Sequence, residues 1–215
     1  MIIAIDGPSA SGKGTLARRL ASYLGFAYLD TGSLYRAVAL EVLEADADPR
    51  DAGAAALAAR NLDFRTLDDP RLRAEKTGEA ASLLAAIPKV RSELLAFQRN
   101  FAKNPPGGLK GAVIDGRDIG TVVCPDADLK IFVTASPAVR VKRRILELEE
   151  RGLPADPEAI LSSVRLRDTR DEARKISPLR PAQDAHLLDT TNLDIDSAFK
   201  KARMILEEAG LFEKM

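Results

Sequence analysis

The 215-residue sequence holds one cysteine, Cys124, one histidine, His186, and no tryptophan. A single thiol cannot close an intramolecular disulfide, so the expected compartment is a reducing one, the cytoplasm. One thiol and one imidazole also exclude a structural zinc site built from Cys and His. Net charge is absent as well: 32 Lys and Arg balance 32 Asp and Glu. That gives no electrostatic reason to expect a nucleic-acid polymer or an anionic membrane as partner. No apolar run approaches the length of a membrane span. The opening "MIIAID" has no basic stretch, so no signal peptide is expected. There are no internal repeats, and the one low-complexity tract is the short "DAGAAALAAR". What remains, with 46% hydrophobic residues, is a globular chain long enough for one sizeable core.

Five short apolar segments punctuate it: "IIAID" (2–6), "FAYLD" (26–30), "GAVID" (111–115), "LKIFVTA" (129–135) and "AHLLDTT" (185–191). They are continuous rather than alternating, as strands buried on both faces require. Helical periodicity lies between them, at 13–24, 33–44, 89–103, 137–151, 157–176 and 196–209. Ser136 before Pro137 and Asp156 before Pro157 suit N-caps. Strands alternating with helices predict an α/β fold with a doubly wound parallel sheet. The stretch 50–87 lacks such a strand and reads as an insertion off the core, with "RTLDDPRLR" as a loop or weak hairpin. Pro105 to Gly108 is the turn that closes it.

Function enters through "GPSASGKGT", residues 7–15. It follows a predicted strand and opens a predicted helix, the context in which G-x-x-x-x-G-K cradles phosphates with backbone N–H groups. Lys13 would reach the terminal phosphates. Gly14 stands where the usual metal-binding hydroxyl belongs, and Thr15 comes one residue late. The ending "GKGT" is typical of nucleoside monophosphate kinases. Thr15 is therefore the candidate for the magnesium shell, shared with Asp115 at the end of the third strand. Two further motifs follow strand ends, where ligands bind in open α/β sheets. They are "DTGSLYR" (30–36) and "DGRDIGTVV" (115–123), each with a glycine turn beside an arginine, Arg36 or Arg117. In the helix 157–176, Arg167, Arg170, Asp171 and Arg174 share one face. That face is either an internally paired surface or the edge of a polyphosphate cleft, with guanidiniums for phosphates and a carboxylate for ribose hydroxyls.

The stretches "IAIDGPSASGKGT", "YLDTGSLYR", "VIDGRDIGTVVCPDADLKIF", "RLRDTRDEAR" and "SPLRPAQDAHLLDTT" together resemble the bacterial-type cytidylate kinases. "AASLLAAIPKVRSELLAFQRNF" (80–101) is similar to the family's segment between its inserted domain and third strand. The resemblance implies a P-loop kinase with a five-stranded parallel sheet. The core would be 1–49, 103–150 and 177–215, the inserted monophosphate-binding region 50–102, and the lid 151–176. It implies phosphoryl transfer from ATP to CMP and dCMP with Mg²⁺, by a cytoplasmic monomer. Gly7, Pro8, Ser9, Ala10, Ser11, Gly12, Lys13, Gly14 and Thr15 would hold ATP. Arg36 and Arg117 would hold the CMP phosphate. Ser82, Arg91 and Asp118 would read cytosine, with Tyr35 and Thr31 lining the site and Asp115 beside it. Asp171 would take the ribose hydroxyls. Lys13, Arg117, Arg167 and Arg174 would carry catalysis, helped by Arg143 and Arg170. A carboxylate such as Asp118 accepts a hydrogen bond from the cytosine amino group and repels the carbonyl of uracil.

Two departures stand out. The stretch after Phe64 is shorter than the family's usual hairpin, and Ala10-Ser11 replaces its common Gly-Ala. The alternatives are a UMP or AMP kinase and a non-catalytic P-loop nucleotide-binding protein. A GTPase-type switch would need N-K-x-D, and the sequence contains no "NK" pair.

Overall fold

The computed structural model describes residues 1–211. Five strands, β1 (Ile2–Asp6), β2 (Ala27–Asp30), β3 (Ala112–Gly116), β4 (Leu129–Thr134) and β5 (His186–Asp189), form one parallel sheet in the order β2-β3-β1-β4-β5. The chain leaves central β1 in one direction to build β2 and β3, then crosses back for β4 and β5. The crevice at that reversal is where open α/β sheets bind ligands. The register aligns Asp6 with Gly116 and Asp30 with Asp115, so these motifs meet at one edge of the sheet.

Helices α1 (Lys13–Leu24) and α8 (Ile195–Glu208) cover one face. There Leu16, Leu20 and Leu206 pack on Ile3, Ile5, Val113 and Ile131. Helices α2 (Thr31–Glu44), α3 (Ala52–Arg60), α4 (Glu75–Leu84) and α5 (Pro88–Lys103) lie on the other side. Leu34, Val38, Ala55, Leu84, Val90 and Leu94 join Ala4, Leu29 and Ile114 in one apolar cluster there. Ala55, Ala59, Leu72, Ala80 and Leu84 of the stretch 50–87 belong to this cluster, with α3 packed on α2 and α5. Helix α7 (Pro157–Glu172) rests on α6 (Pro137–Glu150) through a separate small cluster of Leu148, Ile160 and Val164.

Several boundaries differ from the sequence reading, each for a visible reason. Helix α2 starts at Thr31, two residues early, because the Asp30 carboxylate accepts from Ser33 N at 3.3 Å and Ser33 Oγ at 2.9 Å. Helix α7 stops at Glu172, not at 176, because the chain turns back and Leu179 N donates to Asp171 O at 2.8 Å. Arg174 therefore lies beyond the helix. "RTLDDPRLR" makes two 3₁₀ turns, Phe64–Asp68 and Pro70–Arg73, capped by Asp63 and Asp69, and no hairpin. Strand β5 is an exposed edge: of its residues only Leu188 is buried, so it is not the doubly covered strand its apolar run suggested. Residues 212–215, assigned to the core from sequence, lie outside the described residues.

Candidate active site

The glycine loop needs its glycines. Gly7 sits at φ +153°, and a Cβ there would stand 2.0 Å from the Val133 carbonyl oxygen. Gly12, at φ +88°, is the N-cap of α1 and supplies no side-chain cap, and the first turn holds no acidic residue. Helices α2, α3, α6, α7 and α8 are all capped by an Asp or Ser side chain. Helices α4 and α5 also lack a side-chain cap, but α1 differs from them in starting from a left-handed glycine, Gly12, directly followed by Lys13, which suits a phosphate site.

Two arginines of α6 hold this loop from behind. Arg140 donates to Ser9 O at 3.3 Å and to both oxygens of Asp168 in α7, at 2.9 and 2.5 Å. Arg143 donates to Ser11 O at 3.1 Å and to Thr190 Oγ1 at 3.0 Å. Arg143, expected to help with phosphate, is thus committed to loop backbone.

The loop carries two defects where it departs from the family pattern. Ala10 takes φ +58°, a left-handed conformation that favours glycine. Ser11 Oγ is buried without a partner. The double replacement Ala10→Gly with Ser11→Ala is therefore expected to stabilise the protein by about 1–2 kcal/mol, with part of the glycine gain offset by unfolded-state entropy. A thermal melt should rise by about 2–6 °C with kcat unchanged.

In front of the loop, charges converge from α1, β2, α2, β3 and α7 and the loops beyond them. Lys13 Nζ lies 3.6 Å from Asp115 Oδ1, and Arg36 lies 3.7 Å from Asp30. Arg117 Nε donates to Asp171 Oδ2 at 2.9 Å, and Arg174 is ion-paired with the other oxygen of Asp171. Arg167 has no ion-pair partner among the described residues, and its Nε has no acceptor. Burial, then repulsion from Arg117 and Arg36, pushes Arg167 down to about 9. Burial with help from Arg117 pushes Lys13 down to about 8. Burial raises the Asp115 carboxyl, and Lys13 opposes the rise. Asp115 Oδ1 accepts no hydrogen bond. The cations Lys13, Arg36, Arg117, Arg167 and Arg174 thus outnumber the carboxylates Asp30, Asp115 and Asp171. A half-buried surplus of positive charge is unfavourable unless an anion joins it.

Beside this cluster, Arg91 and Asp118 form a buried ion pair, with the Arg91 guanidinium 5.7 Å from the centre of the Tyr35 ring. Ser82 is buried and its hydroxyl has no partner. Arg91, Asp118 and Tyr35 are therefore grouped, while Ser82, its donor unused, lines a cavity with Arg174. Thr31, one turn before Tyr35 in α2, donates its hydroxyl to Asp115 O at 2.8 Å and so holds the third strand. Arg170 lines a cavity of ≈ 420 Å³ with Ser82, Pro88 and Arg174, the last of which is also paired with Asp171. No hydrogen bond or ion pair joins Thr15, which is exposed, to Asp115 among the described residues. The residue facing Asp115 is Gly14, where a Cβ would stand 3.1 Å from Oδ2.

Sequence reasoning missed Asp30 as a cap, and Arg140 and Asp168 as the tie between loop and α7. Asp30 was at least within a motif that had been singled out. Asp168 likewise lies within the quoted stretch 165–174, but its partner Arg140 is 28 residues away, and nothing in the sequence pairs the two.

The low Lys13 pKa has a signed consequence for ATP. Bound phosphates favour the ammonium and raise its pKa again. Below about pH 8 the site is charged already, and affinity should be flat. Above it, binding must take up a proton, and ATP affinity should fall by up to about tenfold per pH unit. Calorimetry in buffers of different ionisation enthalpy, from pH 7 to 10, should show this uptake. A Kd constant across that range would contradict it.

Comparison with known proteins agrees with this geometry. A family profile described as cytidylate kinase matches residues 3–208. The curated cytidylate kinase of Rhodopseudomonas palustris strain BisA53 is 54% identical over 207 residues, covering 96% of each chain. That of Bradyrhizobium sp. strain ORS 278 is 55% identical over the same length and coverage. A solved structure, an uncharacterized protein from Eubacterium ventriosum ATCC 27560, has a TM-score of 0.54 at 18% identity over 97% of this chain and 98% of its own. That likeness speaks to the fold alone. An open helix N-terminus with Lys13, a surplus of arginines before it and a match that runs nearly end to end lead to one conclusion: the chain belongs to the cytidylate kinase family.

Proposed function

We propose that this protein transfers the γ-phosphoryl group of ATP to CMP and dCMP, yielding ADP and CDP or dCDP. The observation that carries the reading is the surplus cation cluster, with unpaired Arg167 at its centre, lying between an open phosphate loop and a buried Arg91–Asp118 pair. A cluster of this kind suits two polyanions brought end to end.

The loop 7–15 holds the ATP phosphates through backbone N–H groups and Lys13. Arg36 and Arg117 hold the CMP phosphate, and Asp171 turns its spare lone pairs to the ribose hydroxyls. Arg91 keeps Asp118 in place as an acceptor for the cytosine amino group, and Ser82 offers its unused hydroxyl nearby. A phosphate oxygen of CMP attacks the γ-phosphorus, and the bond to the β-bridging oxygen breaks. That oxygen nucleophile is already ionised near neutrality, so no general base is required. Lys13, Arg167 and Arg174 neutralise the charge that spreads over the transferring group.

The residues also fit a magnesium ion carried mainly by the nucleotide. Asp115 presents one buried, unused carboxylate oxygen, and the described residues contain no cluster of three ligating side chains. Asp115 would hold the ion, directly or through water, and the ion would draw charge from the β- and γ-phosphates; Thr15, exposed one residue beyond Gly14, would reach it only through water. Segment 151–176 acts as a lid that excludes water over the reacting groups, and 50–102 encloses the monophosphate. The protein works as a cytoplasmic monomer on small-molecule substrates. No described helix is long and apolar enough to cross a membrane.

Phosphorus NMR of Mg-ATP with CMP tests the reaction. ADP and CDP should appear in equal amounts. ADP without CDP would mean hydrolysis and would overturn the transferase reading.

A further inference from the structure

Asp6 ends β1, one residue before the phosphate loop, and is 5% exposed. No cation pairs with it among the described residues. Its oxygens accept instead from two successive backbone amides, Ile119 N and Gly120 N, each at 2.8 Å. These amides begin the single π-helical turn Ile119–Val123 that follows β3. Burial, opposed by these two bonds, pushes the Asp6 carboxyl up to about 7, and Asp118 and Asp115 add to the rise. A buried carboxylate set among other carboxylates is a costly way to cap one turn.

What this cap fixes is the loop just before it. Arg117 and Asp118 lie between Gly116, paired with Asp6 in the sheet, and Ile119, bonded to the Asp6 side chain. The loop has no slack at either end. A Cβ on Gly116 would stand 2.6 Å from Ile119 Cδ1 and 2.7 Å from Thr31 Oγ1. A Cβ on Gly120 would stand 3.1 Å from Lys130 Cδ. Lys130 is in turn fixed by both oxygens of Asp184, at 2.9 and 2.8 Å. Asp6 is also continuous with Gly7, whose backbone is pressed on Val133.

We infer that Asp6 is a positioning residue for monophosphate selection, holding Arg117 and Asp118 in register with the phosphate loop through two amide bonds. The inference rests on the proposed reaction, since it assigns Asp6 through the roles given there to Arg117 and Asp118. It makes one side chain the joint between donor and acceptor sites.

The test is Asp6→Asn in the full-length protein. The shape is kept, but the amide nitrogen must face a backbone N–H that it cannot accept. KM for CMP should rise by about tenfold and the CMP-to-UMP ratio of kcat/KM should fall by about as much, while KM for ATP changes by less than about twofold. Equal shifts in both KM values, or a lower kcat with the ratio unchanged, would overturn the inference and leave a purely structural cap. Should Asp6→Asn not fold, amide exchange in the wild type decides. Ile119 and Gly120 are expected among the slowly exchanging amides, and exchange at the rate of exposed loop amides would refute the bonds. A wild type that phosphorylates no monophosphate would instead defeat the proposed reaction and leave the exchange result standing.

Discussion

Replacing Arg167 by alanine is expected to lower kcat by about 10³-fold or more without destabilising the protein. The two halves of that expectation come from the same geometry. Arg167 has no ion-pair partner among the described residues, and the repulsion of Arg117, Arg36 and Arg174 is opposed by Asp171 alone, which Arg117 and Arg174 already share. In the absence of nucleotide its charge is opposed by its surroundings, so its removal relieves repulsion. During transfer the same surplus charge meets the equatorial oxygens of the migrating group, and its loss is felt there. Stopped-flow or coupled assays give the rate, and a thermal melt without nucleotide gives the stability. A variant that melts well below the wild type would show Arg167 to be a structural residue, and the charge argument would fail.

Lys13→Met should cost about 10²–10³-fold in kcat, with a different accompanying signature. Lys13 is the counter-charge 3.6 Å from Asp115, whose carboxyl burial already raises. Without the ammonium, Asp115 has less reason to remain ionised, so the variant should also need more magnesium for half-maximal rate. It should lose the decline in ATP affinity above pH 8 that Lys13 causes in the wild type. A variant with normal magnesium dependence would separate Lys13 from Asp115 and contradict their coupling.

The sheet and its crevice were legible because they rest on local patterns. Ile2 to Asp6 and Ala112 to Asp115 are apolar runs ending in acids, and the loop at 7–15 spells out its conformation through Gly7 and Gly12. The end of α7 was not legible. Glu172, Ala173, Arg174 and Lys175 are all good helix formers, and what stops them is a tertiary bond from Leu179 N to the Asp171 carbonyl. The apolar pair Leu187-Leu188 reads as a buried strand, yet position at the sheet edge leaves Leu187 69% exposed. The site residues found from sequence were those whose type matched a motif's chemistry; lying inside a quoted stretch did not reveal the role of Asp6. Those missed act through partners far along the chain: Asp6 with Ile119 across 113 residues, and Arg140 with Ser9 across 131. Such pairs leave no periodic trace. Composition also hid the site's charge, since a net charge of zero averages away a local surplus of cations.

The shortened segment at 64–73 is part of the packed structure. Its two capped turns keep Leu72 buried in contact with the core cluster. The groups proposed to read the base, Ser82, Arg91 and Asp118, come from α4, α5 and the loop after β3 instead.

The most direct test of the account is therefore the ratio of kcat/KM for CMP to that for UMP, measured with Mg-ATP in the wild type and in Asp118→Ala. Strong preference for CMP and dCMP in the wild type, eroded by about 1–3 kcal/mol of discrimination in the variant, is the predicted result. Equal use of UMP by the wild type, or an unchanged preference in Asp118→Ala, would contradict it.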